Sequence, residues 1–409
     1  MQAVFLKKSK KKIQGKISLT GSKSECNRAL MIRALSGGNV EIQNLSFADD
    51  SVIMERELSA LNAEVNIGPA GTAMRFLTAF FGVKTAQEIV ITGSERMKQR
   101  PIGILVDALR KIGSEIGYAE KEGFPPLTIQ PGFTQKSAEI SIPGNISSQF
   151  ISALLMIAPV LPQGLTLVIE NELTSRPYVQ MTLAMLADCG IRHTWKNERI
   201  QIANQPFLPA VLTIEPDWSA ASYWYSLAAL SDEADIFLPN LKRESLQGDS
   251  AIVDIMSGFG VQTLFANGGI WLKKTSLFHP EKVFDLKECP DLAQTVITAS
   301  AALGYNARFT GLHTLRIKET DRILALQNEL GKLGVKLHEE GEFYQLDCSG
   351  LHFPESVSFK TYEDHRMAMA LAPLALHIPE VRFDDRDVVG KSYPAFWSDL
   401  ESVGFAVQS

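Results

Sequence analysis

The sequence is short of the features that define membrane, secreted and metal-binding proteins. None of its apolar runs approaches the roughly 20 residues that span a bilayer, and its N-terminus lacks the charged, apolar and small-residue order of a signal peptide. Its four cysteines are scattered without metal-ligand spacing. We therefore expect a cytoplasmic protein with free thiols, no membrane association and no bound metal.

Positive charge is outnumbered by negative charge. The 409 residues include 40 Lys and Arg against 46 Asp and Glu, which gives a net charge of −6. A short basic run at residues 7–12 is interpreted as a solvated strand edge, because one run in an acidic chain makes few phosphate contacts. The acidic cluster at residues 384–387 contains an arginine and is typical of a charged turn rather than a metal site. Nucleic acid is therefore not an expected partner.

The cations that are present lie singly where loops meet helices. Residues 21–28, Gly-Ser-Lys-Ser-Glu-Cys-Asn-Arg, place Lys23 and Arg28 at the start of an apolar run. Glycine and serine let backbone N–H groups approach an oxyanion, so the segment predicts an anion-binding helix N-terminus. An ordinary capped helix with two surface cations is the alternative. The segment is not a Walker A loop, because Ser22 separates Gly21 from Lys23.

Two further segments place small residues before a helix in the same way. Residues 68–75 contain a glycine-rich turn, an expected cap at Thr72 and then Arg75 within the helix. Residues 144–149 supply two hydroxyls and an amide ahead of another apolar run. Such uncharged groups hydrogen-bond a polyol or a phosphate, or simply cap the helix.

Residues 315–322, Leu-Arg-Ile-Lys-Glu-Thr-Asp-Arg, combine cations with a carboxylic acid. Arg316 and Lys318 are expected at the end of a strand, with a helix following. Arg322 then lies in the first helical turn, where the helix dipole disfavours a cation unless an anion joins it. Lys318 beside Glu319 suits proton transfer next to a bound phosphate or carboxylate. A solvated, ion-paired helix start is the alternative.

Three more cations lie in proline- or glycine-rich settings. Arg100 precedes a proline, Arg366 stands at an expected helix start, and Lys391 follows a glycine. An acidic chain that places single cations at such junctions is typical of a pocket for small polyanions.

Taken in order, these segments resemble the 3-phosphoshikimate 1-carboxyvinyltransferase (EPSP synthase) family of enolpyruvyl transferases. The resemblance runs from Gly21 to Pro394, and its motifs are Gly-Ser-Lys-Ser-x-x-Asn-Arg, Ala-Gly-Thr-Ala-Met-Arg, Arg-Pro-Ile-Gly, Ser-Ser-Gln, Lys-Glu-Thr-Asp-Arg and Asp-His-Arg-Met-Ala-Met. The chain also departs from the family's pattern. Pro69 and Thr314 stand where asparagine is usual, and a strand-and-hairpin segment is missing before Gly68.

A helix, then a glycine or asparagine, then an alternating strand recurs through the chain. The copies contain Asn62, Gly113, Gly190, Gly260, Gly334 and Gly404. A left-handed residue at each position would end the helix and turn the chain into the strand. Six copies predict three α/β units in each of two domains. Periodicity alone favours an open α/β sheet, whereas the resemblance implies two inside-out α/β barrels with helices in the middle and sheets outside.

The copies also indicate where the domains divide. The third copy ends near Ile202 and a capped helix is expected from Asp217, so one crossing is predicted in the weakly patterned residues 205–216. The resemblance implies a second crossing near Leu19. We therefore expect an N-terminal lobe of residues 20–215 and a C-terminal lobe of residues 1–19 plus 216–409. A double hinge of this kind lets two lobes close over a ligand.

The resemblance implies that shikimate 3-phosphate and phosphoenolpyruvate react, without a cofactor, to give 5-enolpyruvylshikimate 3-phosphate and phosphate. Asp291 is the implied base for the attacking hydroxyl, Glu319 the implied acid for C3 of phosphoenolpyruvate, and Lys23 a further catalytic residue. The residues implied around shikimate 3-phosphate are Lys23, Ser24, Arg28, Ser147, Ser148, Gln149, Ser175, Tyr178, Asp291 and Lys318. Those implied around phosphoenolpyruvate are Lys23, Gly71, Arg100, Gln149, Arg322, Arg366 and Lys391. The resemblance also implies a monomer and inhibition by glyphosate.

Other interpretations remain open at this stage. Asp291 after Pro290 is also typical of a plain helix cap. The sister transferase for UDP-N-acetylglucosamine shares the repeats, but it has Lys-Asn where this chain has Lys23-Ser24. An RNA 3′-phosphate cyclase-like protein would need a nucleotide site, and no glycine-rich nucleotide signature is present. A non-catalytic anion-binding scaffold would gain nothing from the carboxylates of Asp291 and Glu319.

Overall fold

The computed structural model describes residues 2–8, 10–60 and 62–408, and they form two compact units. Unit 1 comprises Met1–Thr20 and Glu215–Ser409, and unit 2 comprises Gly21–Ile214. The chain passes from one unit to the other after Thr20 and again after Ile214. Each unit has a hydrophobic core of its own. Ser9 in the basic run and Leu61 in the first repeat copy lie outside the described residues.

The helices and strands alternate along the chain. The helices are α1 (Lys23–Leu35), α2 (Asp49–Ala60), α3 (Gly71–Lys84), α4 (Glu95–Lys98), α5 (Gly103–Ile112), α6 (Ser148–Ile157), α7 (Arg176–Asp188), α8 (Trp218–Leu230), α9 (Ile252–Ser257), α10 (Ala293–Ala302), α11 (Arg322–Gly331), α12 (His365–Leu371) and α13 (Phe396–Ser402). The strands are β1 (Val4–Lys7), β2 (Lys12–Lys16), β3 (Val40–Gln43), β4 (Glu64–Asn66), β5 (Ile89–Thr92), β6 (Ile116–Tyr118), β7 (Leu127–Ile129), β8 (Glu139–Pro143), β9 (Leu165–Glu170), β10 (His193–Lys196), β11 (Arg199–Ile202), β12 (Ala210–Thr213), β13 (Glu233–Pro239), β14 (Val261–Ala266), β15 (Gly269–Lys274), β16 (Val283–Asp285), β17 (Arg308–Thr310), β18 (Lys336–Glu340), β19 (Phe343–Asp347), β20 (Ser356–Phe359), β21 (Glu380–Phe383) and β22 (Ala406–Gln408).

In the described part of unit 1, the strands form three four-stranded sheets of the same design. Their orders are β14-β15-β13-β2, β16-β17-β19-β18 and β20-β21-β1-β22. Each sheet has a parallel pair of strands, and an antiparallel pair completes it. The two N-terminal strands complete sheets whose other strands come from the C-terminal half of the chain. Each sheet therefore corresponds to one repeat with the order strand, helix, strand, helix, strand, strand.

Unit 2 has two sheets of this design, β4-β5-β7-β6 and β10-β11-β9-β8, and a third that is cut short. Within the described residues this third sheet consists of β3 and β12 alone, paired in parallel. Its repeat keeps helices α1 and α2, but α2 leads directly to β4, which pairs with β5 of the next repeat. The hairpin that the sequence analysis found missing is therefore the hairpin of this sheet.

This connection corrects the repeat prediction at one position. In the copies with Gly113, Gly190, Gly260, Gly334 and Gly404, the strand after the glycine belongs to the antiparallel part of its own sheet. In the copy with Asn62 the following strand belongs to the next repeat instead. The local pattern was the same because a helix followed by a half-buried strand has the same periodicity in either sheet.

The first helix of each repeat is buried around most of its circumference. All residues of α10 and α12 are buried, as are all of α8 except Ser219. Helix α10 packs against α8 and α12, and in unit 2 α1, α3 and α6 pack against one another. Strands such as β13 alternate buried and exposed residues, so they cover the helices from outside. A helix that is apolar on all sides belongs in a core. The inside-out α/β arrangement that the resemblance implied is confirmed, and a single open sheet is wrong.

Candidate active site

Polar side chains gather at the N-termini of the first helices of unit 2. The side chain of Gln149 on α6 donates to the hydroxyl of Thr72 on α3 over 3.2 Å, so these two helix starts are adjacent. Helix α3 begins at Gly71 with Ala70 before it, so Thr72 lies inside the first turn and is not the cap that the sequence predicted. Helix N-termini carry partial positive charge, and several together favour an anion.

Lys23 is the first residue of α1, and Ser22 caps this helix by accepting from the backbone N–H of Glu25. The Lys23 ammonium lies 3.4 Å from the carboxylate of Asp50 on α2, and Asp50 is almost fully buried. A buried carboxylate holds the lysine stem against α2. The ammonium is directed by an ion pair and is not a loose surface charge.

Arg28 is buried, and its guanidinium is surrounded by neutral acceptors. It donates to the Thr182 hydroxyl over 2.7 Å, to the Ser24 carbonyl over 2.8 Å, to the Ser152 hydroxyl over 3.0 Å and to the Tyr178 carbonyl over 3.3 Å. Among the described residues, no carboxylate lies within ion-pair distance of it. Burial without a counter-charge lowers the pKa of Arg28 to about 10. An anionic ligand near this arginine would supply the charge that the protein does not.

Gly71 and Arg100 are in close contact. A Cβ built on Gly71 would lie 2.5 Å from Nη1 of Arg100 and 3.1 Å from its Cζ. Arg100 follows the short helix α4 and is mostly buried. The absence of a side chain at residue 71 is therefore what lets the guanidinium lie against the N-terminus of α3.

The serines expected near shikimate 3-phosphate also lie at helix starts. Ser147 precedes α6 and Ser175 precedes α7, and neither hydroxyl accepts a capping hydrogen bond from its own helix. Ser175 has a φ of +56°, in the left-handed region that non-glycine residues adopt rarely. The Tyr178 ring lies 5.8 Å from the Arg28 guanidinium, so α7 and the start of α1 are held together. Helices α1, α6 and α7 pack against one another. The expected residues Lys23, Ser24, Arg28, Ser147, Ser148, Gln149, Ser175 and Tyr178 lie in or directly before the N-terminal halves of these three helices.

In unit 1 the central group is Arg322, the first residue of α11, which is 1% exposed. Its guanidinium contacts carboxylates of Asp364 at 2.7 Å, Glu319 at 2.9 Å and Asp291 at 3.3 Å. Burial alone would lower the pKa of this arginine, but the three carboxylates, with Asp364 first, raise it above its ordinary value. Arg322 therefore remains charged and joins the implied base to the implied acid.

Arg366 and Lys391 complete this group. Arg366 contacts the Asp291 carboxylate at 2.8 Å and the Tyr223 hydroxyl at 3.3 Å. Lys391 contacts the second oxygen of Glu319 at 3.1 Å. Both cations are almost fully buried. The carboxylate of Asp291 thus meets two guanidinium groups, and that of Glu319 meets Arg322 and Lys391.

The local structure around these acids differs from the sequence prediction at two points. Asp291 lies in a 3₁₀ turn, Pro290–Leu292, and α10 begins after it, so Asp291 is not a plain cap of that helix. Residues His313–Ile317 form a 3₁₀ turn where the end of a strand was expected, and Lys318 follows it in an extended conformation. Asp291 contacts Arg322 and Arg366 from the turn Pro290–Leu292, so its carboxylate is directed to neighbouring elements. The expected influence of Lys318 and Lys23 on Glu319 stays a prediction.

A further acid, Asp249, lies beside this group and was not singled out in the sequence. It is 3% exposed, in the 3₁₀ turn Gly248–Ala251, and accepts a short hydrogen bond from the Ser219 hydroxyl. Burial, together with the nearby negative charge of Asp291, raises the pKa of Asp249 to about 7. The start of α8 is thereby linked to the implied base.

Other residues that contact the site were also not identified from the sequence, because their local sequence patterns are ordinary. Asp364 belongs to a quoted motif but appeared there only as a flanking residue, two positions before Arg366. Asp50 is one of two aspartates at the start of α2, an ordinary helix-start pattern. Ser152 and Thr182 lie in apolar helical runs, where a small hydroxyl gives no indication that it bonds Arg28. Tertiary contact alone identifies these residues.

Within residues 2–8, 10–60 and 62–408, no three His, Cys, Asp or Glu side chains are placed to hold a metal ion. No helix in the same ranges is long and apolar enough to cross a membrane. The four cysteines are buried free thiols.

The repeated α/β units and the acids and cations at their helix starts define a group-transfer enzyme for anionic substrates. The family model for EPSP synthase (3-phosphoshikimate 1-carboxyvinyltransferase) matches residues 7–66 and 51–400. A 3-phosphoshikimate 1-carboxyvinyltransferase of Bacteroides fragilis is 47% identical over 406 residues, covering 99% of this chain and 98% of the relative. One of Haemophilus influenzae is 34% identical, covering 96% of each. The chain belongs to the EPSP synthase family.

The fold comparison agrees with this assignment. An EPSP synthase structure from Acinetobacter baumannii matches with a TM-score of 0.78 over 100% of both chains. Its sequence identity is 18%, so this match supports the fold alone. The chain is thus a transferase of this family, as its motifs predicted, and the comparisons do not favour the sister transferase, the cyclase-like protein or the scaffold.

The comparisons also bear on the shortened repeat. The family model matches in two pieces that overlap at residues 51–66, where α2 leads directly to β4. The alignment with the H. influenzae relative spans 423 positions, more than the 409 residues of this chain, so that relative contains residues that this chain lacks. The B. fragilis relative aligns over 406 residues and 98% of its length, so it has a similar length. This chain and the B. fragilis relative therefore have similar lengths, and the shortened repeat lies within the region that the family model matches.

Proposed function

We propose that this chain transfers the enolpyruvyl group of phosphoenolpyruvate to the 5-hydroxyl of shikimate 3-phosphate, forming 5-enolpyruvylshikimate 3-phosphate and phosphate. The observation that carries the proposal is the group around Arg322, which joins the implied base Asp291 to the implied acid Glu319. Both carboxylates are also in contact with a second cation. A pair of acids held among cations is suited to moving protons on anionic substrates.

The unit 2 residues are proposed to bind the anionic and hydroxyl groups of shikimate 3-phosphate. Arg28 carries a buried charge without a carboxylate partner among the described residues, so a substrate carboxylate or phosphate nearby is favourable. The hydroxyls of Ser147, Ser148 and Ser175 and the amide of Gln149 lie at helix starts, where phosphate oxygens are stabilised. Lys23 is held by Asp50 and supplies a directed positive charge.

Asp291 is proposed to accept the proton of the attacking hydroxyl. Contacts with Arg322 at 3.3 Å and Arg366 at 2.8 Å favour its ionised form, which is the form that accepts a proton. The hydroxyl oxygen then bonds to C2 of phosphoenolpyruvate while C3 takes up a proton. Loss of that C3 proton or an equivalent one, together with cleavage of the C2–O bond to phosphate, restores the double bond and releases phosphate.

Glu319 is proposed to deliver the proton to C3. Its carboxylate is held by Arg322 and Lys391, which favour the ionised form. Both cations belong to the group proposed to bind phosphoenolpyruvate, together with Lys23, Gly71, Arg100, Gln149 and Arg366. When the substrate's carboxylate and phosphate take over these cations, Glu319 loses its counter-charges and its affinity for a proton rises. Substrate binding thereby prepares the acid.

The test is phosphate release by the purified protein with each substrate alone and with both. We expect release only when phosphoenolpyruvate and shikimate 3-phosphate are both present. UDP-N-acetylglucosamine in place of shikimate 3-phosphate is the matched control for the sister reaction. Turnover with that acceptor, or none with either acceptor, contradicts the proposal.

The state and location of the protein are part of the same proposal. We propose a monomer in the cytoplasm that binds these two small molecules and does not bind nucleic acid, in line with the net charge of −6 and the four buried free thiols. Light scattering coupled to size-exclusion chromatography and fractionation of the source cells test these points. A stable dimer or a membrane-bound fraction contradicts them.

A further inference from the structure

Asp249 is held in place by contacts that have no role in the proposed chemistry. Gln247 lies two residues before Asp249. Its side chain accepts from the backbone N–H of Trp218 over 2.9 Å and donates to the carbonyl of Pro216 over 2.9 Å. These bonds fix the turn Gly248–Ala251 against the start of α8. The Asp249 carboxyl is therefore at a defined position beside Ser219.

The two oxygens of this carboxyl have different surroundings. Oδ2 accepts the short hydrogen bond from Ser219, whereas Oδ1 is buried with no hydrogen-bond partner among the described residues. An ionised carboxylate normally accepts several hydrogen bonds when it is buried, and this one has a single hydroxyl donor. These surroundings therefore favour the neutral form of Asp249, whereas a solvent-exposed aspartate is ionised at the same pH.

A continuous chain of polar contacts joins Asp249 to Asp291. Ser219 donates to Asp249 and accepts from Nη2 of Arg366 over 3.4 Å. The same Nη2 contacts Oδ2 of Asp291 at 2.8 Å. Arg366 therefore lies between two aspartates, one in direct contact and one through a hydroxyl.

The other charged or titratable groups near Asp249 come from the neighbouring elements. Asp217 caps α8, Asp291 lies in the turn before α10, and Arg366 lies at the start of α12. The Cys289 thiol is close enough for the Asp249 charge to raise its pKa, although burial is the larger cause. Among the groups just named from the described residues, Arg366 is the cation. Ionising Asp249 therefore adds negative charge beside Asp291, with Arg366 shared between them.

We propose that Asp249 is a positioning residue that sets the proton affinity of Asp291 through Ser219 and Arg366. When Asp249 is neutral, Arg366 has Asp291 as its charged partner on this side and Asp249 does not compete for it. When Asp249 is ionised, it draws on Arg366 and repels the charge of Asp291, which makes Asp291 a stronger base. This inference rests on the proposed function, because it assigns Asp249 a role toward the proposed base.

The test is the pH dependence of kcat for wild type, Asp249→Asn and Asp254→Asn. Asparagine keeps an acceptor for Ser219 but cannot ionise, so it reproduces the neutral acid at every pH. We expect the variant to match wild type within about 3-fold near pH 6 and to fall about 10-fold below it near pH 8.5. Asp254 is exposed on the adjacent helix α9, so its variant is expected to follow wild type.

A purely structural role of Asp249 would lower kcat by the same factor at every pH, and that result overturns the proposal. An Asp249→Asn profile parallel to that of wild type also overturns it. A second measurement needs neither a folded variant nor turnover. The protonated-carboxyl infrared band of wild type is expected to diminish as pH rises through neutrality, and a spectrum that does not change refutes the titration. Absence of phosphate release by wild type contradicts the proposed function, and the infrared result then still decides whether Asp249 titrates.

Discussion

Replacing Gly71 by alanine tests the contact between the start of α3 and Arg100. The added Cβ would lie 2.5 Å from Nη1 of Arg100, where ordinary contact begins at 3.4 Å. The guanidinium is the flexible end of its side chain, so it has to move by about 1 Å while α3 keeps its place. A charge-assisted hydrogen bond is worth about 1.5–3 kcal/mol. Losing one such bond to an anion corresponds to about 10- to 100-fold in affinity.

The assay is steady-state kinetics with glyphosate as inhibitor. For wild type we expect inhibition competitive with phosphoenolpyruvate, and for Gly71→Ala we expect the inhibition constant to rise by about 10- to 100-fold. The KM for phosphoenolpyruvate should rise as well, because Arg100 is proposed to bind both the inhibitor and this substrate. Gly331→Ala is the matched control, since a Cβ there meets nothing within 4 Å and it also lies in a helix.

Two results would refute this reasoning. A wild type that glyphosate does not inhibit would show that the turn at Pro69, which leads directly from β4 into α3, has changed the slot. An inhibition constant that rises while the KM for phosphoenolpyruvate stays the same would show that Arg100 is not displaced. In an Arg100→Lys background, Gly71→Ala should add little further loss, because the displaced guanidinium is already gone.

The remaining predictions concern the acids of unit 1. Asp291→Asn and Glu319→Gln should fold normally and each lose about 10²-fold or more in kcat, and full activity or a large change in Tm would contradict the assigned role. Asp364→Ala should lower the free energy of unfolding by about 3–5 kcal/mol in urea titration, because it leaves the buried arginine of α11 without its shortest ion pair, whereas the exposed Asp254→Ala should change it little. The pKa of Asp249 is raised in the folded state, so the folded state binds that proton more tightly and loses stability as pH rises from about 4 to about 7. Asp249→Asn should therefore be more stable than wild type at about pH 8 and not at about pH 4, and equal differences at both values would contradict the shift.

Much of the fold was predictable because it is repeated. The glycine that ends the second helix of a repeat left a local signal in the sequence, and five of the six copies are followed by the expected strand. The sixth copy, at Asn62, has the same local pattern but a different strand partner. Which sheet a strand joins depends on long-range pairing, and periodicity contains no information about it.

The sequence was enough to predict the cations of the candidate site, but not the carboxylates that pair with them. Cations at helix starts are conspicuous in an acidic chain, so Lys23 and Arg322 were expected to face anions. Their partners Asp50 and Asp364 were not singled out, because a carboxylate at a helix start is ordinary capping chemistry until its contacts are known. Asp249 was missed for the same reason, since only burial distinguishes it from a surface aspartate.

The proposed mechanism depends most on protonation of C3 of phosphoenolpyruvate by Glu319 while Asp291 takes the hydroxyl proton. The most direct measurement is turnover in deuterium oxide, followed by mass spectrometry of the enolpyruvyl product. We expect deuterium at C3 of the product from wild type, and Glu319→Gln should lose both product formation and deuterium incorporation into phosphoenolpyruvate. A wild-type product that contains no deuterium at C3 would contradict this mechanism.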